Sequence, residues 1–126
     1  MSLLVPTVGE NEFLKRMLNF SAPSNVKIHL YSNDVTISDA SVIGDFTLIT
    51  DPGEISLTGA SWTVTAGTAT YPQQTFTFVG AGTAYGYVVT DSTGAIVLFA
   101  ETFTDGPYAV PAGGGTIKVT TSISLD

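Results

Sequence analysis

The chain has 126 residues, of which 12% are charged, a net charge of -7 and no cysteine. The only basic residues are Lys15, Arg16, Lys27 and Lys118, too few to neutralise a run of nucleic-acid phosphates or to hold an anionic membrane surface. The missing cysteines exclude disulfides, thiol chemistry and cysteine-based zinc sites.

The length suits one domain, residues 1–126, with a core able to bury about two-thirds of the unfolded surface. Mean hydropathy is +0.32, yet no apolar run approaches the roughly 20 residues of a membrane span. The opening "MSLLVPTVGENE" has no basic stretch before its apolar patch and does not read as a signal peptide.

The first predicted element is a short helix at about residues 10–19. Thr7 and Glu10 fit a capping box, and Phe13, Leu14, Met17 and Leu18 fall on one stripe at helical spacing. Glu12 and Arg16 form a favourable pair one turn apart, and Pro23 enforces the stop. Three turns do not hold in water alone, so the stripe must dock on something.

Beyond Pro23 the period changes to two. "VKIHLYS" predicts a strand with Val26, Ile28 and Leu30 on one face and Lys27, His29 and Tyr31 on the other. "NDVTISDASVIGD" reads as a long polar loop. "FTLIT" and "EISL" are short strand candidates around the turn Asp51-Pro52-Gly53. "SWTVTAG" puts Trp62 with Val64, and "QQTFTFVG" puts Phe76 with Phe78. "TFTDGPYAVPAGGG" reads as turns. The closing "TIKVTTSISLD" reads as one strand, with Ile117, Val119, Thr121, Ile123 and Leu125 facing in.

Between them, "AYGYVVTDSTGAIVLFAE" predicts a β-hairpin around Asp91-Ser92-Thr93-Gly94. Pairing Thr90 with Ala95 puts Tyr85, Tyr87, Val89, Ile96, Leu98 and Ala100 on one face. Val88, Val97 and Phe99 then lie on the other, with the Phe99 ring over Gly86. Both faces are apolar, so something must cover the second. Seven to nine short strands predict a mainly β, antiparallel β-sandwich or jelly-roll-like barrel with one short N-terminal helix.

Catalytic chemistry finds little support. His29 is the one histidine and has no nucleophile or orienting carboxylate near it in sequence. Asp34, Asp39, Asp45, Asp51 and Glu54 match no calcium-loop spacing. Gly113-Gly114-Gly115 precedes a strand, so it lacks the helix N-terminus of a phosphate cradle. The expectation is no catalytic residue, no metal and no cofactor. Tyr85, Tyr87 and Trp62 form a possible sugar platform, although aromatics at period two more often belong to cores or interfaces.

The order of "NEFLKRMLN", "LYSNDVT", "YGYVVTDSTGAIVLFAE" and "GGGTIKVTTSISL" resembles a family of small structural proteins encoded by tailed bacteriophages, over nearly the whole chain. The resemblance implies a virion component, assembled in the bacterial cytoplasm, and supplies no catalytic residues. The expected role is capsid decoration, a cement protein on the outside of a head. Its expected partners are copies of itself, as a dimer or trimer, and the major capsid or another virion protein, with no nucleic acid and no membrane. The alternative is a fibre, spike or collar module that binds a host glycan or receptor. Candidate interface residues are Phe13 and Met17 on the helix and Tyr85, Tyr87, Ile96 and Leu98 on the hairpin.

Overall fold

The computed structural model describes Leu14, Met17 and residues 25–125. The protein is mainly β, as expected, with antiparallel sheets. Its strands are β1 (Val26–Tyr31), β2 (Ile55–Leu57), β3 (Thr63–Thr65), β4 (Thr68–Thr70), β5 (Gln74–Phe78), β6 (Gly82–Ala84), β7 (Gly86–Thr90), β8 (Val97–Thr102), β9 (Tyr108–Val110), β10 (Gly115–Val119) and β11 (Ser122–Ser124). The described strands form no closed barrel; they group as β2-β1-β7-β8, β11-β4-β3, β5-β10 and β6-β9.

Four of the ladders lie on one path. Residues 68–90 run out and residues 97–124 run back beside them, pairing as β4–β11, β5–β10, β6–β9 and β7–β8. Single hydrogen bonds bridge two of the breaks: Tyr71 N–H donates to Thr121 O at 3.0 Å, and Phe103 N–H donates to Tyr85 O at 2.9 Å. The molecule is thus built on one long hairpin, interrupted where residues 79–81, 104–107 and 111–114 leave the ladder. β1 pairs along the free side of β7, β2 along β1, and β3 along β4.

The turn of this hairpin is longer than the sequence suggests. Asp91 Oδ1 accepts from Thr93 Oγ1 at 2.8 Å, Ala95 N at 3.2 Å and Ile96 N at 3.3 Å. Those bonds draw Ala95 and Ile96 into the loop, so Thr90 pairs with Val97 instead of Ala95. A register irregularity between Val89 and Thr90 then sets Val89 opposite Phe99, and Gly86 opposite Thr102. The expected faces change accordingly. Phe99 joins Leu98 on the side of Val89 and Tyr87, and Ala100 joins Val97 on the side of Val88, while Leu98 and Val97 stay on their expected faces.

Two apolar clusters follow. The larger draws on all four sheets, including Val26, Ile28, Leu30, Leu57, Ala69, Phe76, Phe78, Ala84, Tyr87, Val89, Val110, Ile117 and Val119. Leu14, in α-helical conformation, is fully buried in it, and Met17 packs against it half-buried; Phe13 and Leu18 lie outside the described residues. The smaller cluster sits on the opposite face of β1-β7-β8, with Tyr31, Phe46 and Val88 at its centre. Here the polar-loop reading needs correction. Val35, Ile43, Phe46 and Leu48 come from the segment between β1 and β2, and they fold back over the sheet. Ser32 N–H donates to Thr47 O and Ile49 N–H to Leu30 O, both at 2.9 Å, and Asn33 holds both ends of Asp45–Thr47 through its side-chain amide. "FTLIT" contributes an isolated bridge, Tyr31 to Leu48, not a strand.

β4 has no obvious sequence signal because its hairpin with β3 turns on Ala66-Gly67, not on Asn-Gly or Asp-Gly. Both residues have positive φ, 51° and 75°, as a two-residue type I′ turn requires. Alanine tolerates that region poorly. Ala66 is exposed, so Ala66→Asn is expected to stabilise the fold by about 0.5–1 kcal/mol, read as a rise in Tm of a few degrees. A fall in Tm would contradict the turn assignment.

Candidate interaction surface

The second face of the sheet answers what covers the hairpin: the chain's own segment 32–49 does so, but incompletely. Tyr31 and Val88 are fully buried and Phe46 nearly so. Around them Val35, Ile43, Leu48, Tyr85, Val97 and Ala100 remain partly open to water. Val42 and Ile96, each adjoining a member of this cluster in sequence, are both 59% exposed. Partly exposed apolar side chains around a buried cluster mark an interaction site where they form one large patch.

The candidate residues distribute unevenly over the molecule. Ile96 is exposed, next to the rim residue Val97 in sequence, and Tyr85 is half-buried within the rim. Leu98 and Met17 are half-buried against the main core instead. Tyr87 does not share a face with Tyr85. Its ring is in the main core, where Thr121 Oγ1 donates to its hydroxyl at 3.0 Å. Trp62 is also in the core, edge-on to Tyr71 at 5.1 Å, so Tyr85, Tyr87 and Trp62 form no common sugar platform. The rim residues that the sequence reading passed over are Val35, Ile43, Leu48, Val97 and Ala100. The usable signal was the number of apolar residues between 35 and 48, too many for a segment left in water.

β8 forms the outer edge of the four-stranded sheet among the described residues. Phe103 N–H points at β7, so by alternation Ala100 and Thr102 present their backbone groups outward. The opposite edge, β2, has three residues and the ion pair Lys27 Nζ–Glu54 Oε1 (3.4 Å) beside it. Edge strands usually carry charge or irregularities that discourage pairing. β8 has one charged residue, Glu101, and the register break near Val97.

His29 is not on an exposed polar face; it is 94% buried between β2 and β7. Thr90 Oγ1 donates to Asp91 O at 3.1 Å and lies 3.0 Å from His29 Nε2. Thr90 therefore accepts from Nε2–H, and the neutral ring carries its proton there. Nδ1 is 3.7 Å from Glu54 Oε2. Thr90, with its own proton committed to a carbonyl, is not activated by the imidazole. Burial holds the His29 pKa below the ordinary 6.5, against the pull of Glu54 and with help from Lys27. An unfolded chain then binds a proton near pH 6.5 that the folded chain resists, so stability is expected to fall as the pH drops through that value. Thermal melts of the wild type at pH 7.5 and 5.5, set against His29→Gln, check this. The variant is expected to lose part of the acid sensitivity; identical pH dependence would show that the ring titrates freely in the fold.

Among the described residues no three His, Asp or Glu side chains gather at one point. Asp45 uses its carboxylate locally, accepting from Val42 N–H at 2.9 Å. A hollow of about 360 Å3 lies along β9 and β10, lined by Tyr108, Ala109, Val110, Thr116, Ile117 and Lys118. Comparison with protein-family models, with curated proteins and with solved structures finds no match to the chain.

Proposed function

We propose that the protein is a non-enzymatic structural component of a tailed-phage particle, a decoration (cement) protein that binds the outer surface of the head as an oligomer of identical copies. The supporting observation is the partly exposed apolar rim around Tyr31 and Val88, with Ile96 and Val42 exposed next to rim residues in sequence and with the outer edge of β8 unpaired among the described residues. Burial of each large apolar side chain there contributes roughly 1.5–3 kcal/mol at an interface that excludes water. A low charge density on the same domain suits a subunit packed against others, and His29 with Thr90 offers no catalytic pair.

Mass spectrometry and labelling of purified particles test the reading. The chain is expected in the particle, on the head, in many copies. Its absence from purified particles would sink the proposal, and its presence on fibres or collar alone would favour the receptor-binding alternative. Ile96→Asp probes the surface itself. Because Ile96 is mostly exposed, the variant is expected to keep its Tm while losing attachment to heads; unchanged attachment would move the interface elsewhere.

A further inference from the structure

Among the described residues β8 is the longest strand at the edge of a sheet. It pairs with β7 on one side and with no described strand on the other. The ladder to β7 fixes which groups point away. Glu101 lies opposite Tyr87, Phe99 lies opposite Val89, and Phe103 N–H donates to Tyr85 O. Phe99, Glu101 and Phe103 therefore bond inward, and Ala100 and Thr102 aim their N–H and C=O groups outward. Val97, Leu98, Phe99 and Ala100 are all half-buried, and Glu101 and Thr102 are exposed. Short length, proline or lysine commonly keeps such an edge from pairing, and β8 has none of the three. Its register break, with Leu98 unopposed between the pairings of Val97 and Phe99, guards one end only.

A second copy of the same strand meets the demands of this edge. In an antiparallel pair, outward-bonding residues must face outward-bonding residues, so a two-fold axis between identical strands passes at a residue. An axis at Glu101 would set two carboxylates directly opposite, a destabilising like-charge pair. An axis at Phe99 would bring the irregular step at Leu98 of both copies beside it. An axis at Ala100 avoids both. Ala100 then faces Ala100 of the other copy, Glu101 faces Phe99, and Leu98 faces Thr102 at the ends. The smallest side chain of the strand sits at the centre. Such an axis stands perpendicular to the sheet, so both copies turn the same face to the same side. Val97 and Ala100 belong to the rim around Tyr31 and Val88, and the two rims become neighbours across the seam.

We infer that the protein forms a two-fold dimer by antiparallel pairing of β8 with β8 of a second copy, centred on Ala100. The four-stranded sheets of the two copies continue into one. The inference rests on the reading of the protein as an oligomer of identical copies, and it names the join. The seam spans only Leu98 to Thr102, few residues beside the roughly 20–30 a side of a stable interface. Isolated copies therefore exchange between monomer and dimer, and burial of the doubled rim against a larger partner draws them together by mass action.

The chain has no cysteine, so single cysteines report the seam directly. Opposed residues of a hydrogen-bonded antiparallel pair have Cα atoms about 5.5 Å apart, within the disulfide range of about 4.4–6.8 Å. Purified Ala100→Cys, oxidised with diamide, is expected to give a covalent dimer. Thr102→Cys sets its thiols about 13 Å apart along the strands and is expected to cross-link far more slowly. Sedimentation equilibrium of the wild type is expected to show a dimer with a Kd of the order of 0.1 mM. Ala100→Pro removes an outward N–H and no bond to β7, and is expected to be monomeric with unchanged circular dichroism; if that variant does not fold, the cysteine pair decides. A wild type that stays monomeric at about 1 mM, Thr102→Cys cross-linking as fast as Ala100→Cys, or a folded Ala100→Pro that dimerises like the wild type would each overturn the inference. All of these use the isolated protein. Their failure with the chain present on heads rejects this seam alone, whereas a trapped dimer with the chain absent from particles rejects the head reading alone.

Discussion

Tyr31→Ala is expected to cost about 3–5 kcal/mol, seen as a lower urea midpoint with an unchanged slope. The ring is fully buried between the sheet and segment 32–49. It meets Phe46 edge-on at 4.9 Å, and its hydroxyl is 2.9 Å from Thr102 Oγ1. It also lies over Gly86, where an added Cβ would collide with the Tyr31 ring and the Glu101 carbonyl. Removing the ring forfeits its transfer free energy and leaves a cavity with a rigid floor, because Gly86 and Val88 are strand backbone that cannot collapse into it. The amides of Ser32 and Ile49, which bond across this segment, should exchange faster in the variant. Tyr31→Phe removes only the hydroxyl contact and is expected to cost about 0.5–1.5 kcal/mol. A cost below about 1 kcal/mol for the alanine variant would show that segment 32–49 does not hold the second face.

Tyr87→Glu is expected to leave the chain largely unfolded at neutral pH, by circular dichroism. Tyr87 is 3% exposed in the main core. An unpaired carboxylate there costs several kcal/mol, and the lost ring adds to that, against a total stability of about 5–15 kcal/mol. The native residue already registers the hostility of the site to negative charge. Burial, aided by the nearby Glu101 carboxylate and opposed by Thr121, pushes the Tyr87 pKa up to about 12. An unfolded tyrosine ionises near pH 10, so stability is expected to decline between pH 10 and 12, where the folded hydroxyl keeps a proton that the unfolded one has lost. Tyr87→Phe avoids the charge and is expected to cost about 1–3 kcal/mol, since it strands the Thr121 hydroxyl. A Tyr87→Glu protein that melts like the wild type would put the ring in solvent.

The alternation of apolar residues was readable wherever one face met the main core. Val26, Ile28 and Leu30, Phe76 and Phe78, and Ile117, Val119 and Thr121 are all buried as their spacing requires. Register was not readable, because it depends on the Asp91 carboxylate. That one acceptor captures three loop donors and moves the partner of Thr90 by two residues; the irregularity between Val89 and Thr90 adds one more, and the odd total carries Phe99 and Ala100 to the faces opposite those expected, while Val97 and Leu98 keep theirs. The closing run looked like one strand since its alternation survives the break at Thr120; what changes there is the partner, β5 before and β4 after. β6 and β9 are three residues each and sit among glycines and prolines, where turn chemistry outweighs strand pattern. At the surface, Ile96 was legible as apolar and Tyr85 as amphipathic. Ala100 was hidden by the register, and the hollow beside Lys118 by lying across an excursion.

The single long hairpin sets an order of assembly. From the turn at 91–96, each ladder from β7–β8 to β4–β11 extends the one before, so every step closes only the short excursion beside it. Loop closure grows costly with the length enclosed, and here most of that entropy is lost in small instalments. β1 is the exception. To lie along β7 it must join residues 27–31 with residues 86–90, enclosing the whole of the intervening chain. The hairpin is therefore expected to form first as a template, with the capture of β1 and the folding of segment 32–49 behind it as the slower step, so that Val88→Ala should slow folding less than it speeds unfolding.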